Sequence, residues 1–161
     1  MHRSSRLKGL TILVLSLFTI SCLGESTGIP DEVPIEETAF ASSLGVNLAA
    51  STRTTHGAYY RDLTVGTGAL VADGQTLGVR YTGWLSNGQQ FESNATTGAP
   101  IVFVLGDGDV IAGWEETIPG MRVGGRRQLI IPPALAYGPL GSGPIPGNAV
   151  IVFNVEIISA Q

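Results

Sequence analysis

An α+β domain is expected for most of this 161-residue chain: about five or six antiparallel strands, with one short helix covering a sheet face. Three observations predict it. Glycine occurs 22 times, which favours many turns and short elements over long helices. Residues 77–85 and 149–158 carry period-two faces, with Val79 and Tyr81 opposite Arg80 and Thr82, and Ile151, Phe153, Val155 and Ile157 on one side. In the glycine-rich body from residue 57, helical spacing is expected at 112–118. There Trp114 and Ile118 lie one turn apart and Pro119-Gly120 ends the run.

The chain opens with a secretory pattern. Arg3, Arg6 and Lys8 precede the apolar run 10–20. That run is shorter than the roughly 20 residues needed to span a bilayer, and it fits a signal peptide over residues 1–21. Cys22, the one cysteine, follows small Ser21. This arrangement resembles a bacterial lipobox, so Cys22 is expected to carry lipid and to hold an exported protein at a membrane of the periplasm or cell envelope. Residues 22–56 read as a lipid-anchored flexible tether, with Pro30, Pro34, many Ser and Thr, and no sustained apolar period. Phe40, Leu44 and Leu48 stand four residues apart in it, a short amphipathic turn that either docks or frays. Residues 57–161 are expected to fold and work without the tether.

The body then reads in order. Residues 58–65 form a first strand, closed by Gly66-Thr67-Gly68, and 72–75 form a turn. The strand 77–85 reaches Asn87-Gly88, a strong hairpin signal, and 89–92 returns. Residues 101–105 form a short apolar strand before the Gly106-Asp107-Gly108 turn. After the helix, 126–131 form a strand stopped by Pro132-Pro133, and 149–158 close the sheet. A cavity is expected beside the helix N-terminus, where residues 107–113 cross the sheet end.

Much chemistry is excluded. A formal charge of −4 offers no electrostatic footprint for nucleic acid. One cysteine cannot form an intrachain disulfide, and His2 and His56 both precede the body, so no zinc site or histidine triad is expected within it. Gly141-Ser142-Gly143 therefore reads as a flap. Glu115 and Glu116 diverge by about 100° on a helix and are expected to face water rather than to form a glycosidase pair. What remains is a set of aromatic residues: Tyr81, Trp84, Phe91, Phe103, Trp114, Tyr137 and Phe153. Composition alone leaves an ordinary core and a binding pocket equally open.

The arrangement decides between them. Residues 78–92, GVRYTGWLSNGQQFE, resemble the V-x-Y-T-G-x-L-x-[DN]-G-x-x-F-[DE] segment of FKBP-type peptidyl-prolyl cis-trans isomerases. Val110-Ile111-x-Gly113-Trp114-Glu115-Glu116 is similar to the family's V-I-x-G-W-E-E stretch. Ile131-Pro132 through Ala136-Tyr137-Gly138 is similar to I-P-x-x-L-A-Y-G. Met121-x-Val123-Gly124, Ile145-Pro146 and Val152-Phe153-x-Val155-Glu156 follow in family order, so the resemblance spans roughly 58–161.

The resemblance implies a twisted antiparallel sheet wrapped around one short helix, with an aromatic pocket between them. It implies rotation of X–Pro bonds in unfolded or partly folded proline-containing polypeptides, macrolide ligands, and neither cofactor nor metal. With no second globular domain and no long dimerising helix expected, the protein reads as a monomer. Trp114 becomes the pocket floor and is expected to matter more to the site than to stability. Tyr81, Phe103 and Phe153 become its wall, with Phe91 and Glu92 at the side. Val110 and Ile111 flank the entrance, the Ile111 N–H holding a substrate carbonyl. The Tyr137 hydroxyl is a second donor, and Ile145 closes the flap side. A non-catalytic chaperone or peptide-binding module using the same pocket is the alternative. The chain departs from the family pattern at Glu92, where aspartate is common; at Thr97, where many members have arginine; and at Ile101, a rim position held by phenylalanine in a well-known member. The flap 138–146 is about one residue shorter than usual. These departures bear on macrolide affinity and substrate preference.

Overall fold

The structure, a computed structural model, describes residues 32–96 and 98–161. The proposed signal peptide 1–21, Cys22 and Thr97 lie outside the described residues. The strands are β1 (Thr52–Arg53), β2 (Tyr59–Thr64), β3 (Thr76–Leu85), β4 (Gln90–Ser93), β5 (Ile101–Val104), β6 (Arg126–Ile131) and β7 (Ile151–Ala160). One helix, α1 (Ala112–Thr117), lies between β5 and β6. The sheet order is β1-β2-β6-β7-β3-β4, with β5 also on β3, and every pairing is antiparallel. The expected strands are present. The two-residue β1, paired with Tyr59 and Tyr60, raises the number to seven.

One edge of β3 is shared. Thr76–Val79 pair with β5, and Thr82–Trp84 pair with β4. Asn94 fills the gap between the two partners. Its Oδ1 accepts the Tyr81 N–H at 2.7 Å, and its Nδ2 donates to the carbonyls of Val79 (3.2 Å) and Ala99 (3.3 Å). Backbone groups left without a strand partner are thereby satisfied. Tyr81, paired with Val155 on its other side, is held from both directions.

The face of the sheet under α1 carries the larger core, including Leu77, Val79, Leu105, Ile118, Leu129, Ile131 and Val155. Gly113 permits this packing, because a Cβ there would run into the Ile131 side chain. Arg127 fixes the other end of the helix. It is only 4% exposed, binds Asp62 through Nε (2.7 Å) and Nη2 (3.2 Å), and stacks 4.4 Å from the Tyr60 ring centroid. Its Nη1 donates to the carbonyls of Thr117 (2.6 Å) and Pro119 (3.3 Å). One buried cation thus satisfies carbonyls that the end of a helix leaves free.

A flexible tether is expected over residues 22–56; for residues 32–56, the part of it that is described, the opposite sheet face corrects that expectation. Residues 32–56 run across that face as a strap built from three 3-10 turns, Ile35–Glu37, Ser42–Leu44 and Leu48–Ala50, followed by β1. Ile35 is buried with Tyr59, Ile130, Val150 and Val152, and Phe40, Leu44, Val46 and Leu48 pack against this cluster. Polar fasteners hold the strap. Gln128 Nε2 donates to the Leu44 carbonyl (2.8 Å), Arg61 Nη2 to that of Gly45 (2.9 Å), and the Tyr59 hydroxyl to Glu36 (2.6 Å). The Ala41 N–H bonds the Ser86 carbonyl at 2.8 Å, tying the strap to the β3–β4 turn.

The physical reason lies in the strands. Val150, Ile151, Val152 and Phe153 form a continuous apolar run, the mark of a strand covered on both faces. Phe40, Leu44 and Leu48 keep the four-residue spacing noted above, but the strap forms no continuous helix, and Leu44 and Leu48 fall in separate 3-10 turns that dock on the sheet.

Candidate active site

A cavity of about 360 Å³ opens beside the N-terminus of α1. The sequence sets its floor. Ile111 caps the helix and accepts the Trp114 N–H at 2.9 Å, which turns the indole inward over the sheet. Tyr81 and Phe153 come from the paired central strands β3 and β7. Ring centroids lie 5.2 Å apart for Tyr81–Trp114, 5.3 Å for Trp114–Phe153 and 5.9 Å for Tyr81–Phe153, with interplanar angles of 81°, 86° and 64°. These are edge-to-face contacts, in which positive ring edges meet negative faces. Gly83 makes room for them: a Cβ there would lie 2.6 Å from both Phe153 and Phe91.

Of the residues proposed from sequence, Tyr81, Glu92, Ile101, Val110, Ile111, Trp114, Tyr137 and Phe153 line the cavity. Three sit behind it instead. Phe91 packs edge-on against Phe153 at 5.6 Å, and Phe103 lies tilted against Trp114 at 6.0 Å. Ile145 is buried in the core, its backbone closing the flap through reciprocal bonds with Ser142 (2.9 and 3.0 Å). All three support the wall rather than form its surface. Trp114 lines the cavity and is at the same time only 3% exposed, packed into the core.

Two lining residues were missed, Gly108 and Asp109. Their signal was present in the loop 107–113, expected from sequence to cross the sheet end. Glu115 explains how that loop is held. Its carboxylate accepts the N–H groups of Gly106 (2.6 Å) and Gly108 (3.2 Å). The expectation that Glu115 and Glu116 face water is therefore corrected: Glu115 organises the cavity entrance, and Glu116 contacts His56 Nδ1. Helix periodicity places these side chains off the core but does not show the loop and the strap that meet them.

Electrostatics keeps the phenols neutral. Burial, followed by a hydrogen bond to Glu92 and the charge of that carboxylate, pushes Tyr81 far above the ordinary tyrosine range. Burial and then the Glu92 charge also push Tyr137 up. In the unfolded chain both ionise near pH 10. Their contribution to stability is therefore complete below about pH 10 and is lost as the pH climbs through their raised folded values. Melting temperature and any activity that depends on these donors should be level from about pH 6 to 9 and decline above about pH 10. Parallel melting and turnover profiles check this, and a decline centred near neutrality would show a different titrating group at work.

No group of His, Cys, Asp and Glu able to hold a metal occurs among the described residues. The site's resources are an apolar aromatic cage, two neutral phenols and exposed backbone near a helix start. Such a site can bind and orient an uncharged ring and donate hydrogen bonds to its neighbours.

Comparison with known proteins agrees with the geometry. Residues 68–158 match the model of the FKBP-type peptidyl-prolyl cis-trans isomerase family. The chain is 46% identical over 111 residues to FK506-binding protein 4 of Rhizopus delemar, covering 68% of this chain and 29% of that protein. It is 49% identical over 86 residues to FK506-binding protein 2 of Dictyostelium discoideum, covering 53% and 65% respectively. It thus spans under a third of the larger relative. Among solved structures, FkpA from Escherichia coli matches with a TM-score of 0.64 and 38% identity, over 70% of this chain and 52% of that one. AtFKBP13 matches with a TM-score of 0.64 and 36% identity, over 69% and 98%. Motif order, sheet topology, aromatic cavity and these similarities lead to one assignment: the chain belongs to the FKBP-type peptidyl-prolyl cis-trans isomerase family.

Proposed function

We propose that this protein is an active prolyl isomerase that assists the folding of exported polypeptides, working as a monomer held at a membrane of the cell envelope by lipid on Cys22. The observation that carries the catalytic part is the edge-to-face cage of Tyr81, Trp114 and Phe153 at the base of an open cavity. The planar peptide bond is stabilised by resonance, and rotating it costs about 18–20 kcal/mol. The twisted amide has less charge separation than the planar one, so a dry apolar surround favours it relative to water. The proline ring sits on Trp114. The Ile111 N–H and the Tyr137 hydroxyl hold the flanking carbonyls, and no proton transfer is required.

The test is a proline-peptide isomerisation assay on the mature protein, with Tyr137→Phe as its control. That change keeps the ring and deletes one neutral donor, worth about 0.5–1.5 kcal/mol. Catalytic efficiency should fall from a few-fold to about tenfold, with the melting temperature nearly unchanged. Wild-type efficiency in this variant would remove Tyr137 from the reaction, and absence of turnover in the parent protein would favour a non-catalytic peptide-binding module.

The anchoring part rests on the run 10–20 followed by Ser21-Cys22. Intact-mass analysis of protein extracted from membranes should show an acylated N-terminus at Cys22, and Cys22→Ser should release the protein to the soluble fraction. Cleavage at another residue with no acyl mass would overturn it.

A further inference from the structure

We infer that the cavity selects clients with a lysine or arginine beside the proline, through the carboxylates of Glu92 and Asp109; this rests on the isomerase reading above. The two acids come from different elements, Glu92 from β4 and Asp109 from the β5–α1 loop, and both border the cavity. Among the described residues, no basic side chain borders it. The described arginines are engaged elsewhere: Arg53 with Glu36, Arg61 with Gly45, Arg80 with Ala95, Arg122 with Gly68, and Arg127 with Asp62. Arg126 stands opposite Glu156 in the sheet. Neither Glu92 nor Asp109 forms an ion pair among the described residues. Glu92 shares a hydrogen bond with Tyr81, and Asp109 has a long contact of 3.5 Å from the Val104 N–H.

The chemistry of a proline-containing client makes this arrangement selective. Trp114 Nε1 is buried and has no hydrogen-bond partner among the described residues. The Tyr137 hydroxyl, by contrast, belongs to a residue that lines the cavity, and a client carbonyl can satisfy that donor. The two carboxylates need donors in return. Proline has no N–H, so the client main chain is short of donors at that point. An ammonium or guanidinium on the neighbouring side chain supplies them, whereas a neighbouring carboxylate adds repulsion. Glu115 already accepts from Gly106 and Gly108 and is not available to the client.

The experiment compares peptides Ala-Xaa-Pro-Phe and Ala-Ala-Pro-Xaa, with Xaa as Leu, Lys, Arg or Glu, using the mature protein at low and high salt. In at least one series, Lys and Arg should exceed Glu in catalytic efficiency by at least about threefold at low salt, the scale of one or two exposed charge contacts. The ratio should shrink at high salt, where the Debye length drops to about 3 Å. In the double variant Glu92→Gln, Asp109→Asn the ratio should approach one, whatever the absolute rate. If none of these peptides is turned over, the isomerase reading itself fails. If all are turned over but Lys and Glu peptides are equal and indifferent to salt, the isomerase reading stands and the charge selection is wrong. A ratio that survives in the double variant would also overturn the assignment to these two residues.

Discussion

A chain beginning at Gly57 is expected to melt roughly 10 °C lower than one retaining residues 32–56, the effect of about 3 kcal/mol in a domain of this size. The strap buries Ile35 and packs Phe40, Leu44, Val46 and Leu48 over Tyr59, Ile130, Val150 and Val152. Each well-buried apolar side chain contributes about 1.5–3 kcal/mol. Ordering the strap costs about 1–2 kcal/mol per residue fixed, so the net gain is far smaller than the gross one. Removal also uncovers a contiguous apolar surface, which promotes self-association. No residue before Tyr81 lines the cavity, so turnover per folded molecule should be retained at low temperature. Melting curves and a dye reporting exposed apolar surface measure the difference. Equal melting temperatures and no added dye binding would show that the strap contributes nothing to stability.

Phe153→Ala should have the largest effect of any single change in the site, about 3–5 kcal/mol. Phe153 is 2% exposed and makes edge-to-face contacts with Tyr81, Phe91 and Trp114. Truncation leaves a void near the start of β7, and the Trp114 indole loses a ring that it meets edge-to-face. Catalytic efficiency should therefore drop together with stability. Phe153→Leu refills much of the volume and should cost clearly less in stability, while still removing the ring edge from the cage. Denaturation and kinetics on both variants separate the two effects. A Phe153→Ala protein as stable as its parent would mean that the cage is not a packed unit.

Much of the architecture was legible because it depends on short-range pattern. The period-two face of Ile151, Phe153, Val155 and Ile157 marks β7, Asn87-Gly88 marks the hairpin turn, and Trp114 with Ile118 marks α1. The cavity residues carried by motifs, such as Tyr81, Trp114 and Tyr137, were legible for a related reason, since residue type and spacing travel together. Relations between distant segments were not. Ile35 has no apolar period around it, and its role appears only when Ile130 and Val152 are in place. Glu115 reads as a solvent-facing helix residue until the loop from Gly106 to Gly108 folds back onto it. Asn94 sits in a turn-like sequence, and its importance comes from a ladder gap that exists only once β4 and β5 share one edge of β3.

The strap also constrains the order in which this protein can assemble. Residues 32–50 are synthesised well before their seat, which is made by Ile130, Val150 and Val152 much later in the chain. The bond from Gln128 to the Leu44 carbonyl closes a separation of 84 residues. Contacts of such long range form late, after the loops between them have been closed. The strap, although made early, is therefore among the last segments to find its place, and its docking reports that β6 and β7 have already paired. Until then that segment stays open to proteases, so its protection marks completed molecules and its cleavage marks those still short of their final strand.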